Sequence, residues 1–133
     1  MEFDCEPNTA VGRGYGRKVT PDECEALLRE ADALGLYHTA EKHGICNCCR
    51  CCCYPGRTTL ELGYKGLWPK ILYTAIRDAG HCAKCAKCVE RCPKDALHIE
   101  DGQVGYNPDK CWGCGLCETG CPEGAITMAK LEK

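Results

Sequence analysis

Eight cysteines of this chain form one spacing pattern that occurs twice. In each copy three cysteines are separated by two residues, and a fourth follows after three residues and directly precedes a proline. The first copy comprises Cys82, Cys85, Cys88, Cys92 and Pro93, and the second, 29 positions later, comprises Cys111, Cys114, Cys117, Cys121 and Pro122. The chain has sixteen cysteines in 133 residues. A chain this short builds little apolar core, so thiols at this density predict either disulfides or bound metal.

The expected compartment favours metal over disulfides. Residues 1–20 contain no basic start followed by an apolar run, so no signal peptide is expected. No apolar stretch is long enough to predict a membrane span. We therefore expect a cytoplasmic protein, in which closely spaced thiols are metal ligands more often than disulfides. The net charge of −2 and the scattered basic residues argue against a nucleic-acid partner.

The spacing itself favours iron–sulfur clusters. A 4Fe-4S core offers four iron corners, each of which takes one thiolate. Three closely spaced cysteines can wrap three corners locally, and the fourth ligand then comes from elsewhere. Zinc is the alternative, but zinc modules usually pair two separate Cys-x2-Cys knuckles for each metal.

Residues 71–133 resemble the bacterial two-cluster ferredoxins at every ligand position of the repeat. The resemblance implies an α+β, pseudo-twofold domain of short helices and short β-hairpins around two 4Fe-4S clusters. It assigns one cluster to Cys82, Cys85, Cys88 and Cys121, and the other to Cys111, Cys114, Cys117 and Cys92. One departure is Ala86, where such proteins usually have glycine.

Local patterns predict the strands of this domain. Residues 71–76 and 125–128 are rich in strand formers. Asp101-Gly102 between two short apolar segments is a hairpin signal. Lys84 and Lys87 flank the first cysteine loop and are interpreted as solvated side chains, whereas Trp112 and Leu116 offer the second loop an apolar cover.

Residues 1–70 are expected to form a small, mainly helical, cysteine-rich module. Thr20, Pro21 and Glu23 predict a capping box that begins a helix over about 21–34. The module resembles a cysteine-rich segment that precedes ferredoxin repeats in some proteins of anaerobic microbes, whose role is unassigned.

Six further cysteines stand within eight residues and predict an additional metal centre. They are Cys46, Cys48, Cys49, Cys51, Cys52 and Cys53. A helix would place Cys46, Cys49 and Cys53 on one face, whereas an extended chain would align Cys49, Cys51 and Cys53. An iron–sulfur cluster, zinc, and thiol redox or sulfur-carrying chemistry are the alternatives. Cys5, Cys24, His38 and His43 are reserve ligands.

The leading hypothesis is a ferredoxin-like protein that passes single electrons between two 4Fe-4S clusters and this additional centre for a partner oxidoreductase. The alternative is a small reductase, or a sulfur- or cluster-handling enzyme, with its active centre at residues 46–53. No catalytic triad, carboxylate pair or nucleotide-binding loop indicates a conventional hydrolase or transferase.

Overall fold

The computed structural model describes residues 1, 8–41, 44–63 and 71–132. Its first helix, α1, spans Pro21–Ala33. The Thr20 hydroxyl accepts a hydrogen bond from the Glu23 N–H at 3.2 Å, and the Glu23 carboxylate accepts one from the Thr20 N–H at 2.8 Å. This reciprocal pair satisfies two backbone donors that a helix start would otherwise leave unpaired. The predicted capping box and helix are confirmed.

A two-stranded hairpin follows α1, where we expected a mainly helical module. Its strands are β1 (Tyr37–Glu41) and β2 (Gly44–Cys48), which run antiparallel. Tyr37 lies opposite Cys48, and Thr39 lies opposite Cys46. Aromatic and β-branched residues favour such a paired, extended backbone. The six-cysteine run therefore begins on a strand, and the mainly helical description of the module was incomplete.

The second helix, α2, begins where the six-cysteine run ends and spans Tyr54–Leu62. The Cys53 thiol caps it by accepting a hydrogen bond from the Gly56 N–H at 3.4 Å. A helix that aligns Cys46 with Cys49 and Cys53 is therefore wrong. Strand pairing holds the start of the run extended, and helical geometry begins only after its last cysteine.

The C-terminal part consists of short elements and two small sheets. They are β3 (Tyr73–Arg77), α3 (Lys87–Glu90), β4 (Leu97–Glu100), β5 (Gln103–Tyr106), a 3₁₀ turn (Pro108–Lys110), α4 (Leu116–Thr119) and β6 (Ile126–Lys130). The strand β3 pairs with β6, and β4 pairs with β5, both antiparallel. Asp101 and Gly102 have φ angles of 50° and 72° and form the predicted turn of the β4–β5 hairpin. This mixed content confirms the α+β class.

The two cysteine loops share unusual backbone angles at matched positions. Three pairs of residues 29 positions apart have positive φ, namely Lys84 (56°) with Gly113 (65°), Ala86 (60°) with Gly115 (83°), and Asp95 (53°) with Gly124 (61°). The left-handed region is strained for residues that carry a Cβ. The second loop uses glycine at all three positions, and the first loop at none.

Two groups of buried side chains form the core of the described residues. The larger comprises Ala75, Cys88, Leu97, Val104, Cys117 and Ile126. The smaller comprises Tyr37, Cys53 and Leu116, and so joins the N-terminal part to the second cysteine loop. Both groups are small for a chain of this length, so we expect metal–ligand bonds to supply part of the stability of the fold.

Charged side chains also connect the N-terminal part to the C-terminal part. The Arg91 guanidinium donates to the carbonyl oxygen and to the carboxylate of Asp32, both at 3.1 Å, and to the Leu116 carbonyl at 2.8 Å. Arg50 donates to both carboxylate oxygens of Asp95, at 2.7 and 2.6 Å. The Arg50–Asp95 pair is about half exposed, so it orients the six-cysteine run more than it stabilises the fold.

Candidate metal centres

One cavity brings together cysteines from both copies of the repeat. Cys92 from the first copy lines it together with Cys111, Cys114 and Cys117 from the second. The rest of the lining is mainly apolar and includes Pro93, Leu97, Tyr106, Leu116 and Met128. Four thiols around one apolar cavity are a donor set that fits an iron–sulfur cluster.

The raised pKa values of these thiols favour the protonated form unless a metal is bound. Burial, followed by the charges of the neighbouring Cys114, Cys111 and Cys92, raises the pKa of Cys117 to about 12. Burial, together with Cys92 and Cys111, also raises the pKa of Cys114. Thiolates are unfavourable in such a site unless a cationic centre offsets their charge, and metal coordination supplies that charge.

The first cysteine loop is more open to solvent. Burial raises the pKa of Cys88, with smaller contributions from Cys82 and Cys85, so these three thiols are electrostatic neighbours. Cys88 is buried, whereas Cys85 is exposed. Cys121, the fourth predicted ligand, packs against the same apolar core as Cys82 and Cys88. Its thiol accepts a hydrogen bond from the Ala125 N–H at 3.3 Å.

The six-cysteine run divides into an outer and an inner set. Cys49, Cys51 and Cys52 form the outer set, whose sulfur atoms all lie within 4.8 Å of one another. Hydrogen bonds from Cys51 and Cys52 lower the pKa of Cys49 to about 7, while Cys49 and Cys51 raise the pKa of Cys52 to about 11. The three thiols therefore share protons and favour one thiolate near neutral pH.

The inner set consists of Cys48 and Cys53 and lies at the junction with the second cysteine loop. Cys53 is 3% exposed and belongs to the same buried group as Tyr37 and Leu116. Cys48 and the ferredoxin-loop residue Cys114 pack against that group. Burial, followed by the charge of Cys53, raises the pKa of Cys48. These contacts bring the N-terminal module next to one of the predicted cluster sites.

A buried lysine occupies the same junction and was not predicted from the sequence. Lys94 is 4% exposed, and its ammonium lies 3.1 Å from the centroid of the Trp112 ring. It also donates to the Gly56 carbonyl at 3.4 Å. Burial lowers the pKa of Lys94 to about 8, and the nearby Cys53 and Cys114 oppose that change. Lys94 therefore remains mostly protonated at pH 7.

The aromatic cover of the second loop agrees with the sequence interpretation. Trp112 meets Tyr37 edge to face, with ring centroids 6.2 Å apart and an interplanar angle of 89°. Leu116 is 1% exposed. The sequence did not indicate that Tyr37 packs against Trp112. Its strand, β1, pairs with the cysteine-bearing strand β2, and no local pattern predicted that pairing.

The reserve ligands have other contacts or lie outside the described residues. Cys24 lies half-buried on α1, and its thiol is 3.3 Å from the Met1 sulfur. One ring nitrogen of His38 lies 2.7 Å from the Asn47 side-chain oxygen. Cys5 and His43 are among the residues that the structure does not describe, as is the expected module boundary at residue 70. Neither Cys24 nor His38 joins the three-thiol group.

None of the helices within the described ranges has the length and apolar character needed to cross a membrane.

Comparisons with known proteins place the C-terminal half in one class. A family model described as a 4Fe-4S dicluster domain matches residues 75–128. An uncharacterized ferredoxin of Methanocaldococcus jannaschii is 54% identical over 48 residues, which cover 36% of this chain and 28% of that protein. A second uncharacterized ferredoxin of the same organism is 49% identical over 47 residues, covering 35% of this chain and 76% of that protein. The pyruvate synthase subunit PorD of M. jannaschii is 37% identical over 62 residues, covering 46% and 72%.

The fold and the cysteine loops define an iron–sulfur protein with a 4Fe-4S dicluster domain. The chain belongs to the ferredoxin family through this domain. The family resemblance seen in the sequence is confirmed. The cysteine-rich N-terminal part lies outside the matched range and has no assigned role.

Proposed function

We propose that this ferredoxin carries single electrons between two 4Fe-4S clusters and a partner oxidoreductase. The observation that supports the proposal best is the cavity that Cys92 shares with three cysteines of the other copy. A fourth ligand from the other copy is the arrangement of two-cluster ferredoxins. When bound, a cluster ligated by four thiolates accepts and releases one electron and has no open position for a substrate.

The ligand sets follow the two loops. One cluster belongs to Cys82, Cys85, Cys88 and Cys121, and the other to Cys92, Cys111, Cys114 and Cys117. The matched positive φ angles support a pseudo-twofold relation between the loops. The protein contributes the thiols, the apolar lining that excludes water, and the backbone donors near sulfur, such as the Gly113 N–H at 3.4 Å from the Cys111 thiol.

The first loop is the side that a partner approaches in this proposal. Cys85, Lys84 and Lys87 are exposed there, whereas Leu116 of the second loop is buried beneath the N-terminal part. The relative named as a pyruvate synthase subunit supports a larger enzyme as the kind of partner. The thiols that would hold the clusters must stay reduced, which supports a reducing, cytoplasmic location.

The six-cysteine run adds a further metal centre to this proposal. The close approach of Cys49, Cys51 and Cys52 supports it. Thiols this close and this exposed oxidise readily unless metal or a reducing environment protects them. Cys53 follows this trio in the chain and packs with Leu116 of the second loop, which supports a position for such a centre near one cluster.

The test is anaerobic purification of the full chain, with iron and sulfide analysis and electron paramagnetic resonance during stepwise reduction. We expect about eight irons and two one-electron reductions of the clusters. Cys92→Ser should alter the same signal as Cys114→Ser, and Cys85→Ser should alter the other one. Cys24→Ser is the matched control and should leave both signals unchanged. A Cys92→Ser spectrum that matches the Cys85→Ser spectrum would contradict the crossed ligands, and fewer than about four irons per chain would refute the proposal.

A further inference from the structure

The sulfur atoms of three thiols in the six-cysteine run lie closer together than the four ligand sulfur atoms around a 4Fe-4S cluster would. The sulfur of Cys51 lies 3.1 Å from that of Cys49 and 3.5 Å from that of Cys52. All three sulfur atoms lie within 4.8 Å of one another. We infer that these three thiols bind a single thiophilic cation of the zinc class, whose fourth position is open to solvent. The inference rests on the proposed additional metal centre and specifies its ligands and nuclearity.

The distances are closer to those of thiolates bound to one ion than to those of thiolates bound to separate irons. Thiolates bound to tetrahedral zinc at about 2.3 Å lie about 3.8 Å from one another. The separations of 3.1 and 3.5 Å are slightly below this value, and the upper limit of 4.8 Å lies above it. In a cubane, each thiolate binds a different iron and the four bonds point outward, so the sulfur atoms lie farther apart. The trio therefore fits one ion better than a third cluster.

The backbone of the run also differs from that of the two ferredoxin loops. Each ferredoxin loop separates its cysteines by two residues and turns through positive-φ residues such as Ala86 and Gly115. Cys51 and Cys52 are adjacent, and no residue from 49 to 53 has a positive φ. Adjacent residues have Cα atoms only about 3.8 Å apart, so their thiols reach one ion more easily than two separate corners of a cluster.

Exposure distinguishes Cys51 and Cys52 from Cys53, the buried cysteine of the run. Cys51 and Cys52 are exposed, so the open coordination position of the ion faces solvent, as in zinc sites with three protein ligands. Cys53 is 3% exposed, and its thiol already accepts a hydrogen bond from the helix α2. Arg57 pairs with Glu61 at 2.9 Å and also interacts electrostatically with Cys52 and Cys51.

The experiment uses the full chain, purified anaerobically and assayed for iron, sulfide and zinc, with Co²⁺ as a spectroscopic probe. We expect about one zinc and about eight irons per chain. The triple variant Cys49→Ser/Cys51→Ser/Cys52→Ser should lose the zinc and the thiolate-to-Co²⁺ absorption while it keeps the irons. Cys51→Ser alone, at an exposed position, should weaken zinc at least tenfold in competition with a chelator. Cys24→Ser is the control and should retain the ion.

The outcomes separate this inference from the proposed function. About twelve irons in the unmodified chain, falling to about eight in the triple variant, would show a third cluster and overturn the inference. A chain that binds no zinc or Co²⁺ at the trio, even when metal is added, would overturn it too. In both cases the two cluster signals persist, so the electron-carrier proposal stands. Loss of those signals from the unmodified chain would refute that proposal instead.

Discussion

Ala86→Gly should stabilise the first cysteine loop. Ala86 stands at the start of α3 with a φ of 60°, in the left-handed region. That conformation costs an L-residue about 1–2 kcal/mol. Glycine removes this strain but has more freedom in the unfolded chain, which offsets about 0.5–1 kcal/mol. We therefore expect a net gain of about 0.5–1 kcal/mol.

The matched position in the second loop provides the reverse experiment. Gly115 begins α4 with a φ of 83°, and an added Cβ would meet nothing within 4 Å. Gly115→Ala tests backbone strain without a steric clash. Gly115→Ala should therefore lower the stability of its loop by about as much as Ala86→Gly raises the stability of the first loop.

The measurement is the rate of cluster loss in denaturant under anaerobic conditions, followed by visible absorbance. Loop opening precedes ligand release, so a change of 0.5–1 kcal/mol should slow the Ala86→Gly variant about two- to fivefold and accelerate the Gly115→Ala variant similarly. Iron content after purification should stay unchanged in both. If Ala86→Gly lost its clusters as fast as the unmodified chain or faster, the strain argument would be wrong.

Three further substitutions address the second loop and the junction. Gly113→Ala should reduce cluster content at the second loop, because its Cβ would collide with the Tyr73 carbonyl at a positive φ. Arg91→Lys should speed amide exchange at the end of α1 about five- to tenfold, because lysine keeps the charge but lacks the planar guanidinium that donates to Asp32 and Leu116 together, a loss of about 1–1.5 kcal/mol. Lys94→Met should lower the potential of the adjacent cluster by tens of millivolts in a redox titration, because it removes a buried positive charge from the lining of the cavity that Cys92, Cys111, Cys114 and Cys117 share.

Each of these has a matched control in the chain. Lys84→Ala keeps a Cβ at the position equivalent to Gly113 and should not reduce cluster content. Arg29→Lys makes the same change at an exposed pair on α1 and should leave amide exchange at the end of that helix unchanged. Lys87→Met removes an exposed charge near the first loop and should shift the second cluster far less than Lys94→Met does. Equal effects of a test substitution and its control would contradict the corresponding argument.

Local sequence patterns were sufficient where the chemistry is local. The capping box of Thr20 and Glu23 indicated α1, and Asp101-Gly102 indicated the β4–β5 hairpin. Both depend on residues within four positions of each other, so neighbours in sequence determine the geometry. The repeated cysteine spacing indicated the dicluster domain for the same reason, because three proposed ligands of each set lie within one loop.

The junction could not be predicted in this way. Arg50 and Asp95 are separated by 45 positions, and Arg91 and Asp32 by 59. Nothing near Lys94 in the sequence indicates that a lysine beside Cys92-Pro93 is buried, because the residues that bury it come from α2 and from the second loop. Such contacts depend on how two parts dock. The sequence pattern specifies the parts but not their arrangement.

The position of Lys94 changes which cations matter for the clusters. Lys84 and Lys87 flank the first loop, but both are exposed, so water and salt screen their charge. Lys94 is buried beside Trp112 and the second loop, where screening is weaker and each charge acts more strongly. Burial alone would make reduction of the second cluster less favourable, because reduction adds a negative charge to a site that water does not reach. A buried ammonium opposes that effect, so the N-terminal part can cover the second cluster without making it much harder to reduce.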